Sequence, residues 1–408
     1  MLILMFLFGF SAKPQAVVQS IPAKSFLDSL GVNVHMEYTD GKYANVNNVL
    51  KDLNYLGITH VRDGVPSPNW MPPGQGVAAI NTLAAAGVKF DIVVGGPDLA
   101  ANMLQLVSLE TAHPGMLSAV EGPNEINNWP ITYQGFTGQT AATRFQGDLY
   151  KAIHGNSLLN RLPVYYLTGG SPANLKVNNG LADATNEHPY PRNGDQPGDV
   201  IKQAFANDYP QATIGKVITE SGYYTQPESQ DWGGVDGMTQ AKGTLALYFE
   251  SARQGISAIY LYQLLDAYLD RSGTTNDYHF GLFEFDTVPK PAAVAIHNLT
   301  QYLADSASSP QTLVYAIDDL PVTARTLLLS KSDGSFVIAV WNAAPFWDKS
   351  KKEPIDSKPI QARLLLANPA SVEQFDPLTN SVKSFNASTS LQISVPDHPV
   401  LISVKVKK

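Results

Sequence analysis

Two short motifs, Gly122-Pro123-Asn124-Glu125 and Thr219-Glu220-Ser221-Gly222, each place a glutamate at or just after the end of an apolar run. A pair of carboxyl groups suits hydrolysis of a glycosidic bond, because one protonates the leaving oxygen while the other attacks the anomeric carbon or activates water. A separation of about 5–5.5 Å leads to retention of the anomeric configuration, and one of about 6.5–9.5 Å leads to inversion. The two motifs predict this chemistry if the fold brings Glu125 and Glu220 together.

The elements that would position these glutamates repeat along the chain. Eight strand-like runs, most of which end in or are followed by polar residues, lie at 31–35, 59–63, 89–94, 117–120, 163–167, 184–188, 216–220 and 258–262. Helical patterns accompany them at 46–56, 77–86, 99–109, 141–153, 245–253 and 292–303. Alternation of strands and helices indicates a parallel sheet, and eight strands are the number that closes a (β/α)8 TIM barrel of about 250 residues. An open doubly wound sheet is disfavoured, since no Gly-x-Gly-x-x-Gly follows the first run and no P-loop is present.

After a linker at 305–310 the helical periodicity ends. Alternating or β-branched runs follow at 312–317, 323–330, 335–342, 360–366, 371–375, 381–385, 391–395 and 400–406. They predict a small C-terminal antiparallel β-sandwich, to which residues 17–22 would add a strand. The predicted organisation is therefore an N-terminal segment at 1–16, an α/β barrel at 17–304 and the β-sandwich at 305–408.

In a TIM barrel the C-terminal ends of all the strands meet at one face, so the last residues of each run are candidates for the site. These candidates are polar, acidic or aromatic: His35, Arg62, Asp63, Glu121, Asn124, Glu125, His188, Tyr190, Glu220, Tyr223, Tyr262, Gln263 and Asp266. Aromatic residues in the following loops would stack on sugar rings: Trp70, Trp129, Tyr223, Tyr224 and Trp232. Several rings on one face predict several sugar subsites.

The motif "GPNE" after the fourth run and "TESG" after the seventh resemble clan A of the retaining glycoside hydrolases, the 4/7 superfamily. The resemblance covers about residues 31–304 and implies a (β/α)8 barrel acting by double displacement on a carbohydrate, with no cofactor. It makes Glu125 the acid/base, Asn124 a contact to the sugar 2-hydroxyl and Glu220 the nucleophile.

The same resemblance extends to neighbouring residues. Arg62 matches the arginine that often braces the nucleophile, and His188 and Tyr190 match residues near the nucleophile on the sixth strand. The segment 279–292 is weakly similar to family 39-like or cellulase-like members. Where the clan commonly has a tryptophan after the eighth strand, this chain has Tyr262, Gln263 and Asp266.

The two carboxyl groups need different proton affinities. Glu125 must hold a proton near neutral pH, which predicts a pKa raised by apolar cover or by the charge of Glu220. Glu220 must stay ionised, which Arg62 would favour.

Composition narrows the class of protein. The formal charge is −8, and no basic cluster that would bind a phosphate backbone is present, so no nucleic-acid partner is expected. The chain has no cysteine, and its eight histidines are scattered, which disfavours a metal centre. The apolar run at 1–12 has the length of a signal-peptide core and is too short to span a membrane, so we expect a secreted or periplasmic protein. Oligomeric state is not predicted.

Other interpretations stay open. Asn124 and Glu125 alone would also suit the start of a helix, since Asn caps helices and Glu favours the first turn. Arg62 would also suit a structural ion pair with a barrel carboxylate. At the level of function, a carbohydrate-binding barrel without turnover and a transglycosidase share most or all of these residues.

Overall fold

A computed structural model of the chain describes residues 15–66, 75–96, 98–170, 181–210, 212–229 and 231–406. Most of the predicted N-terminal signal segment and Trp70 lie outside these residues, so the expectations placed on them stay predictions. Among the described residues, no helix has the length and apolar character needed to cross a bilayer.

Eight parallel strands form a closed barrel and follow one another around it in chain order. They are Leu30–Asn33, His60–Gly64, Lys89–Val93, Leu117–Glu121, Val164–Tyr165, Ala184–Glu187, Gly215–Ser221 and Ala258–Leu261. We number them barrel strands one to eight. Each coincides with one of the eight predicted runs, and the predicted (β/α)8 barrel is confirmed.

Helices cover the outside of the barrel. They are α1 (Ala23–Asp28), α2 (Val46–Leu56), α3 (Gln75–Ala85), α4 (Leu99–Ala112), α5 (Gly138–Gly155), α6 (Pro197–Asp208), α7 (Gly237–Arg253) and α8 (Pro291–Leu303). Local chemistry sets several of their ends: the side chains of Asn45 and Asp98 accept the Asn48 and Ala101 amides at the starts of α2 and α4. Gly57 ends α2 in the left-handed region at φ 69°.

A second sheet of eight strands is almost entirely antiparallel. Its strands are Ala16–Gln19, Ile21–Pro22, Thr312–Asp318, Ala324–Ser330, Phe336–Asn342, Ile360–Asp376, Ser381–Val395 and Val400–Val406. Two small hairpins lie outside both sheets, Thr132–Tyr133 with Phe136–Thr137 and Trp347–Asp348 with Glu353–Pro354. The expected extra strand from residues 17–22 is present, as the two short strands that begin the described chain.

Four of the predicted C-terminal strands are joined into two long ones, Ile360–Asp376 and Ser381–Val395. The pairing register shifts between Leu365 and Ala370, around the Asn368-Pro369 pair that reads in sequence as a break. Before this bulge the strand Ile360–Asp376 pairs with Thr312–Asp318, and after the bulge it pairs with Val400–Val406. The domain is thus one continuous sheet folded over its own apolar face, whose residues form a single buried cluster.

The opposite face of this sheet packs against the barrel. Trp341 is fully buried beside Phe249 of α7, and Phe375 stacks on Tyr302 of α8 with ring centroids 4.2 Å apart. These contacts belong to the same apolar cluster as the barrel core. The barrel and the sheet therefore share one hydrophobic core, which includes the contacts of the sheet with α7 and α8.

Candidate active site

Glu125 and Glu220 lie at the C-terminal end of the barrel, as their positions in the sequence predict. Glu220 is on barrel strand seven, one residue before its end, and Glu125 follows barrel strand four. One carboxylate oxygen of each glutamate and a ring nitrogen of His188 all lie within 4.8 Å of one another. The fold therefore brings together the two acids that are far apart in sequence.

Arg62, on barrel strand two, links both acidic motifs. Its Nε and Nη2 donate to the two carboxylate oxygens of Glu121, each at 2.8 Å. Nη1 donates to Glu220 Oε1 at 2.7 Å and to Asn33 Oδ1 at 2.9 Å, and Nη2 also donates to Asn124 Oδ1 at 2.8 Å. A guanidinium has five N–H donors, and all five are engaged here. Arg62 is therefore held rigidly, and Glu121, which is 0 % exposed, serves as its buried partner.

Asn124 takes its orientation from Arg62. Because its Oδ1 accepts from the guanidinium, its –NH₂ group is the end available to a ligand. An amide donor next to Glu125 suits a sugar hydroxyl. The geometry agrees with the contact that the resemblance implies for Asn124, which stays a prediction.

Glu220 is buried and still favours the ionised form. Burial alone would raise the pKa of Glu220, but the charges of His188 and Arg62 outweigh it and hold the pKa below its ordinary value. Tyr190 donates its hydroxyl to Glu220 Oε2 at 2.8 Å. Burial and the negative charge of Glu220 raise the pKa of Tyr190, so the phenol stays protonated and available as this donor.

Glu125 occupies a strained turn. Its φ is 38°, a left-handed conformation that is costly for a residue with a side chain. The turn is held because the Glu125 amide donates to Thr168 Oγ1 at 2.9 Å, and its carbonyl accepts from the Asn128 and Trp129 amides at 2.8 Å. The Asn128 side chain also donates to Glu125 Oε2 at 2.9 Å. Such strain at a half-buried acid is characteristic of functional sites.

The glycine of the "GPNE" motif has a packing reason. A Cβ on Gly122 would lie 1.8 Å from Gln146 Oε1, which belongs to α5. Only glycine lets the chain pass this close before it turns towards Glu125.

His188 contacts both glutamates. Its Nδ1 is 3.0 Å from Glu125 Oε1 and 3.7 Å from Glu220 Oε2. The hydrogen bond with His188 lowers the pKa of Glu125 to about 2, although burial opposes the shift. The expectation of a raised pKa for Glu125 is therefore wrong, because an imidazole, not apolar cover, lies against the carboxylate.

Thr219 and Asn186 hold the other side of the His188 ring, and neither was among the predicted site residues. His188 Nε2 is 2.9 Å from Thr219 Oγ1, which is 3.0 Å from Asn186 Oδ1. In a regular strand Thr219 would point away from the face that carries Glu220. The register of barrel strand seven shifts between Ile218 and Ser221, and this irregularity accompanies the approach of both side chains to His188.

An aromatic wall follows barrel strands one and eight. His35 stacks on Tyr38 at 4.6 Å, and Tyr43 and Tyr262 meet its ring edge-on at 5.6 and 5.5 Å. His35 Nε2 is buried without a hydrogen-bond partner among the described residues, and burial lowers the pKa of His35 to about 4. Because Nε2 is inaccessible to solvent, the sugar contact expected of His35 stays a prediction. The peptide bond between Tyr262 and Gln263 is cis.

Trp232 packs edge-on against Tyr190, with ring centroids 5.5 Å apart. Trp129 is on the turn that begins at Glu125 and is 69 % exposed. Trp232 therefore contacts a residue bonded to Glu220, and Trp129 lies on the turn that carries Glu125.

Two predicted site residues are turned away from the cluster. Tyr223 is buried, donates its hydroxyl to the Asp195 carbonyl at 2.7 Å and packs its ring against Phe346. Gln263 is also buried, with its Oε1 accepting from Tyr43 and its Nε2 donating to the Asp277 carbonyl. Both side chains are bonded within the protein and support the walls of the site.

The spacing of Glu125, His188 and Glu220 would also suit three ligands of a metal ion, and they form the one such group found in the described residues. The contacts favour an acid–base group over a metal site. Arg62 already places a cation 2.7 Å from Glu220, and His188 Nδ1 faces Glu125 directly. A metal ion would have to displace both interactions.

Comparison with solved structures supports the fold. A family 39 glycoside hydrolase from the gut symbiont Bacteroides cellulosilyticus WH2 aligns with a TM-score of 0.62 at 14 % identity, over 95 % of this chain and 82 % of that one. A GH39 β-xylosidase from Caulobacter crescentus aligns with a TM-score of 0.57 at 12 % identity, over 97 % and 100 % of the two chains. The GH39 enzyme from Xanthomonas axonopodis pv. citri gives 0.56 at 12 %, over 93 % and 94 %.

No family model matches the sequence, and no curated protein matches it. The structural likeness rests on low identity and so concerns the fold. The resemblance indicated by the two glutamate motifs is confirmed at that level: the chain has the fold of the family 39 glycoside hydrolases, a (β/α)8 barrel with a C-terminal antiparallel β-domain.

Proposed function

We propose that the protein is a retaining glycoside hydrolase that cleaves O-glycosidic bonds of an oligo- or polysaccharide by double displacement. The observation that carries the proposal is the approach of a Glu125 and a Glu220 carboxylate oxygen to within 4.8 Å at the barrel mouth. This spacing leaves no room for a water between nucleophile and sugar, as an inverting mechanism requires. It supports attack by a carboxylate.

In the proposed first step, Glu220 attacks the anomeric carbon while the carboxyl group of Glu125 gives a proton to the leaving oxygen. The C–O bond to the leaving group breaks and a Glu220–sugar ester forms. Arg62 and Tyr190 hold Glu220 ionised and oriented, each through one of its oxygens. In the second step Glu125 takes a proton from water, which attacks the same carbon and releases Glu220.

The proton balance follows from the contacts of Glu125. Its lowered pKa means that the free carboxylate does not carry the proton by itself. The hydrogen-bonded His188 is the group from which that proton reaches the carboxyl group when a leaving oxygen approaches. Formation of the ester removes the charge of Glu220, which favours loss of the proton from this pair before the second step.

The test is hydrolysis of a panel of aryl and natural glycosides by the unaltered protein, Glu220→Gly and Glu125→Ala. We expect kcat to fall by several orders of magnitude in both variants, because a nucleophile and an acid are removed. Added azide should restore turnover of Glu220→Gly with a glycosyl azide of inverted configuration. Proton NMR of the first product should show retention in the unaltered protein.

Glu284→Gln is the matched control, since Glu284 is an exposed acid in the loop after barrel strand eight and has no contact with the pair. Undiminished turnover in Glu220→Gly would contradict the proposal. Binding of glycans without turnover by the folded, unaltered protein would instead support the carbohydrate-binding barrel.

Transfer to a sugar acceptor uses the same two acids. A β-1,3-glucanosyltransferase from Rhizomucor miehei aligns over 66 % of this chain with a TM-score of 0.50 at 13 % identity. Product analysis with and without added acceptor sugar separates the two outcomes. If only longer glycans formed, the protein would be a transglycosidase and not a hydrolase.

We also propose export to the periplasm or the medium, on the basis of the apolar run at 1–12. Fractionation of the native host and sequencing of the mature N-terminus test this. Recovery of the full-length chain in the cytosol would contradict it.

A further inference from the structure

The hydrogen bonds behind His188 determine which of its nitrogens carries a proton. The chain of contacts begins at Asn186, which is buried on barrel strand six. Asn186 Oδ1 is 3.2 Å from the backbone nitrogen of Thr219. A backbone N–H only donates, so the atom that faces it must be the amide oxygen.

The hydroxyl of Thr219 donates its hydrogen to the same oxygen, Asn186 Oδ1. Thr219 Oγ1 lies 3.0 Å from Asn186 Oδ1. An amide oxygen cannot donate, so the single hydroxyl hydrogen of Thr219 is used in this contact. Both residues are essentially inaccessible to solvent, so water does not compete for this hydrogen.

Because its only hydrogen points to Asn186, Thr219 Oγ1 can only accept a hydrogen bond from His188. Its partner is His188 Nε2 at 2.9 Å, which must therefore carry a hydrogen. In a neutral imidazole with Nε2–H, the other nitrogen, Nδ1, is a bare acceptor. That nitrogen faces Glu125 Oε1 at 3.0 Å.

Two acceptors at hydrogen-bond distance require a proton between them. The contact is satisfied either by an imidazolium and a carboxylate or by a neutral imidazole and a carboxylic acid. In both forms the pair contains one proton at the Nδ1···Oε1 contact.

We infer, on the basis of the proposed function, that Thr219 and Asn186 are positioning residues that lock His188 so that it and Glu125 hold the catalytic proton between them. If the pair lost this proton, the locked ring would present its Nδ1 lone pair to the Glu125 carboxylate. The repulsion keeps the proton in place to higher pH than a freely turning imidazole would.

Other charged and titratable groups near the pair act on the same equilibrium. Glu220 Oε2 is 3.7 Å from His188 Nδ1 and favours retention of the proton. Arg62 opposes it through its positive charge, and the exposed Asp277 adds negative charge at the mouth. Tyr190 is occupied by Glu220, and Asn128 donates to the second oxygen of Glu125. The tautomer lock is the contribution that depends on Thr219.

Proton transfer balances without another reactant. The hydrogen on Nδ1 passes to Glu125, and Glu125 gives it to the leaving oxygen as the glycosidic C–O bond breaks. His188 is then neutral with Nε2–H, and Glu125 is a carboxylate. The water that enters in the second step returns one proton to the pair and gives its hydroxyl group to the sugar.

The test compares the pH profile of kcat/KM for Thr219→Val and Thr219→Ser with that of the unaltered protein. Valine keeps the shape of threonine without the hydroxyl, so Nε2 loses its acceptor and the ring is free to donate from Nδ1 to the carboxylate. We expect the basic limb of Thr219→Val to move to lower pH by about one unit, the size of one lost hydrogen bond to a charged group. Thr219→Ser should restore the basic limb.

Thr185→Val is the matched control. Thr185 is a buried threonine on barrel strand six whose hydroxyl donates to the Gly215 carbonyl, away from His188. Its profile should keep the basic limb of the unaltered protein. A basic limb that is the same in Thr219→Val as in Thr219→Ser would overturn the inference.

A second readout is independent of activity. Nitrogen-15 NMR of histidine-labelled protein, assigned with His188→Gln, reports which ring nitrogen of His188 is protonated. We expect a protonated Nε2 throughout the pH range in the unaltered protein and a change towards Nδ1–H in Thr219→Val. An unprotonated Nε2 in the unaltered protein would overturn the lock, and absence of turnover with the expected spectrum would count against the proposed function alone.

Discussion

Arg62 and Glu220 stand on barrel strands two and seven, and a 2.7 Å ion pair joins them across the interior of the barrel mouth. The same guanidinium binds both oxygens of Glu121 and the side chains of Asn33 and Asn124. One side chain therefore fixes the proposed nucleophile and the amide beside the proposed acid. Positive charge alone would not achieve this, because the five contacts need the planar fork of an arginine.

Replacement of Arg62 by lysine tests this requirement. The charge is kept, but a single ammonium cannot reach all five acceptors. We expect kcat/KM to fall by about 10²-fold, because Glu220 and Asn124 are no longer held in register. The thermal midpoint should also fall, since Glu121 is left without its bidentate partner in the barrel interior.

Arg363→Lys provides the control for this prediction. Arg363 pairs with Asp318 at 3.3 Å in the β-domain and is partly exposed, so its replacement should change neither turnover nor stability appreciably. Equal effects of Arg62→Lys and Arg363→Lys would mean that Arg62 contributes only charge.

Trp129→Ala should change substrate affinity without changing stability. The ring is 69 % exposed and lies on the turn that begins at Glu125, so it suits the sugar on the leaving-group side. We expect KM for oligosaccharides to rise about fivefold, from the loss of about 1 kcal/mol of ring stacking, while glycosyl fluorides, which place no ring on the leaving-group side, are unaffected. Steady-state kinetics on both substrate types measure this split.

Leu104→Ala is the matched surface variant, because Leu104 is 73 % exposed on α4. It should leave both KM values unchanged. A rise in KM for the glycosyl fluoride in Trp129→Ala would place the ring on the other side of the scissile bond.

The barrel and the proximity of Glu125 and Glu220 were predictable because local patterns specify them. Most of the eight runs end in or are followed by polar residues where the strands end, and Asn45 and Gly57 mark the ends of α2 at the predicted positions. Glu125 and Glu220 follow from the order of strands around a closed barrel, since strands four and seven carry them to the same mouth.

The supporting contacts were not predictable for a physical reason. Thr219 contacts His188 where barrel strand seven is irregular, whereas the periodicity of a regular strand assigns it to the other face. The orientations of Tyr223 and Gln263 depend on Asp195, Tyr43 and the loop at Asp277, which are distant in sequence or in other loops. The lowered pKa of Glu125 depends on a ring supplied by another strand.

Glu187→Gln should stabilise the protein, increasingly so as the pH rises. Burial and then the hydrogen bond with Asp208 raise the pKa of Glu187 to about 9, so folding takes up a proton at neutral pH. This uptake does not change the free energy of unfolding below the ordinary glutamate pKa of about 4.3, and it lowers that free energy progressively between there and about pH 9. We expect the thermal midpoint of the variant to equal that of the unaltered protein at pH 4 and to exceed it by several degrees at pH 8.

The control is Asp199→Asn, an exposed acid in the first turn of the same helix, α6. Its effect on the thermal midpoint should be small and constant between pH 5 and pH 9. A constant gain from Glu187→Gln over this range would show that the carboxyl group is ionised in the folded protein.

His398 should make the attachment of the β-domain dependent on pH. Its ring lies between Asp397 at 3.0 Å and Asp376 at 3.2 Å, and Asp397 also pairs with Lys242 of α7 at 2.7 Å. Burial alone would lower the pKa of His398, but its bonds to the two aspartates outweigh burial and raise it. The protonated His398 ring therefore stabilises the folded protein fully below the ordinary histidine pKa of about 6.5. This stabilisation is lost as the pH rises through the raised pKa that His398 has in the folded protein. We expect His398→Gln to lower the urea midpoint most below pH 6 and progressively less towards pH 9.

His154→Gln, which removes a partly exposed ring 3.1 Å from Asp183 on the barrel, should show a smaller effect. A deficit in His398→Gln that does not change with pH would mean that the ring contributes packing and no charge.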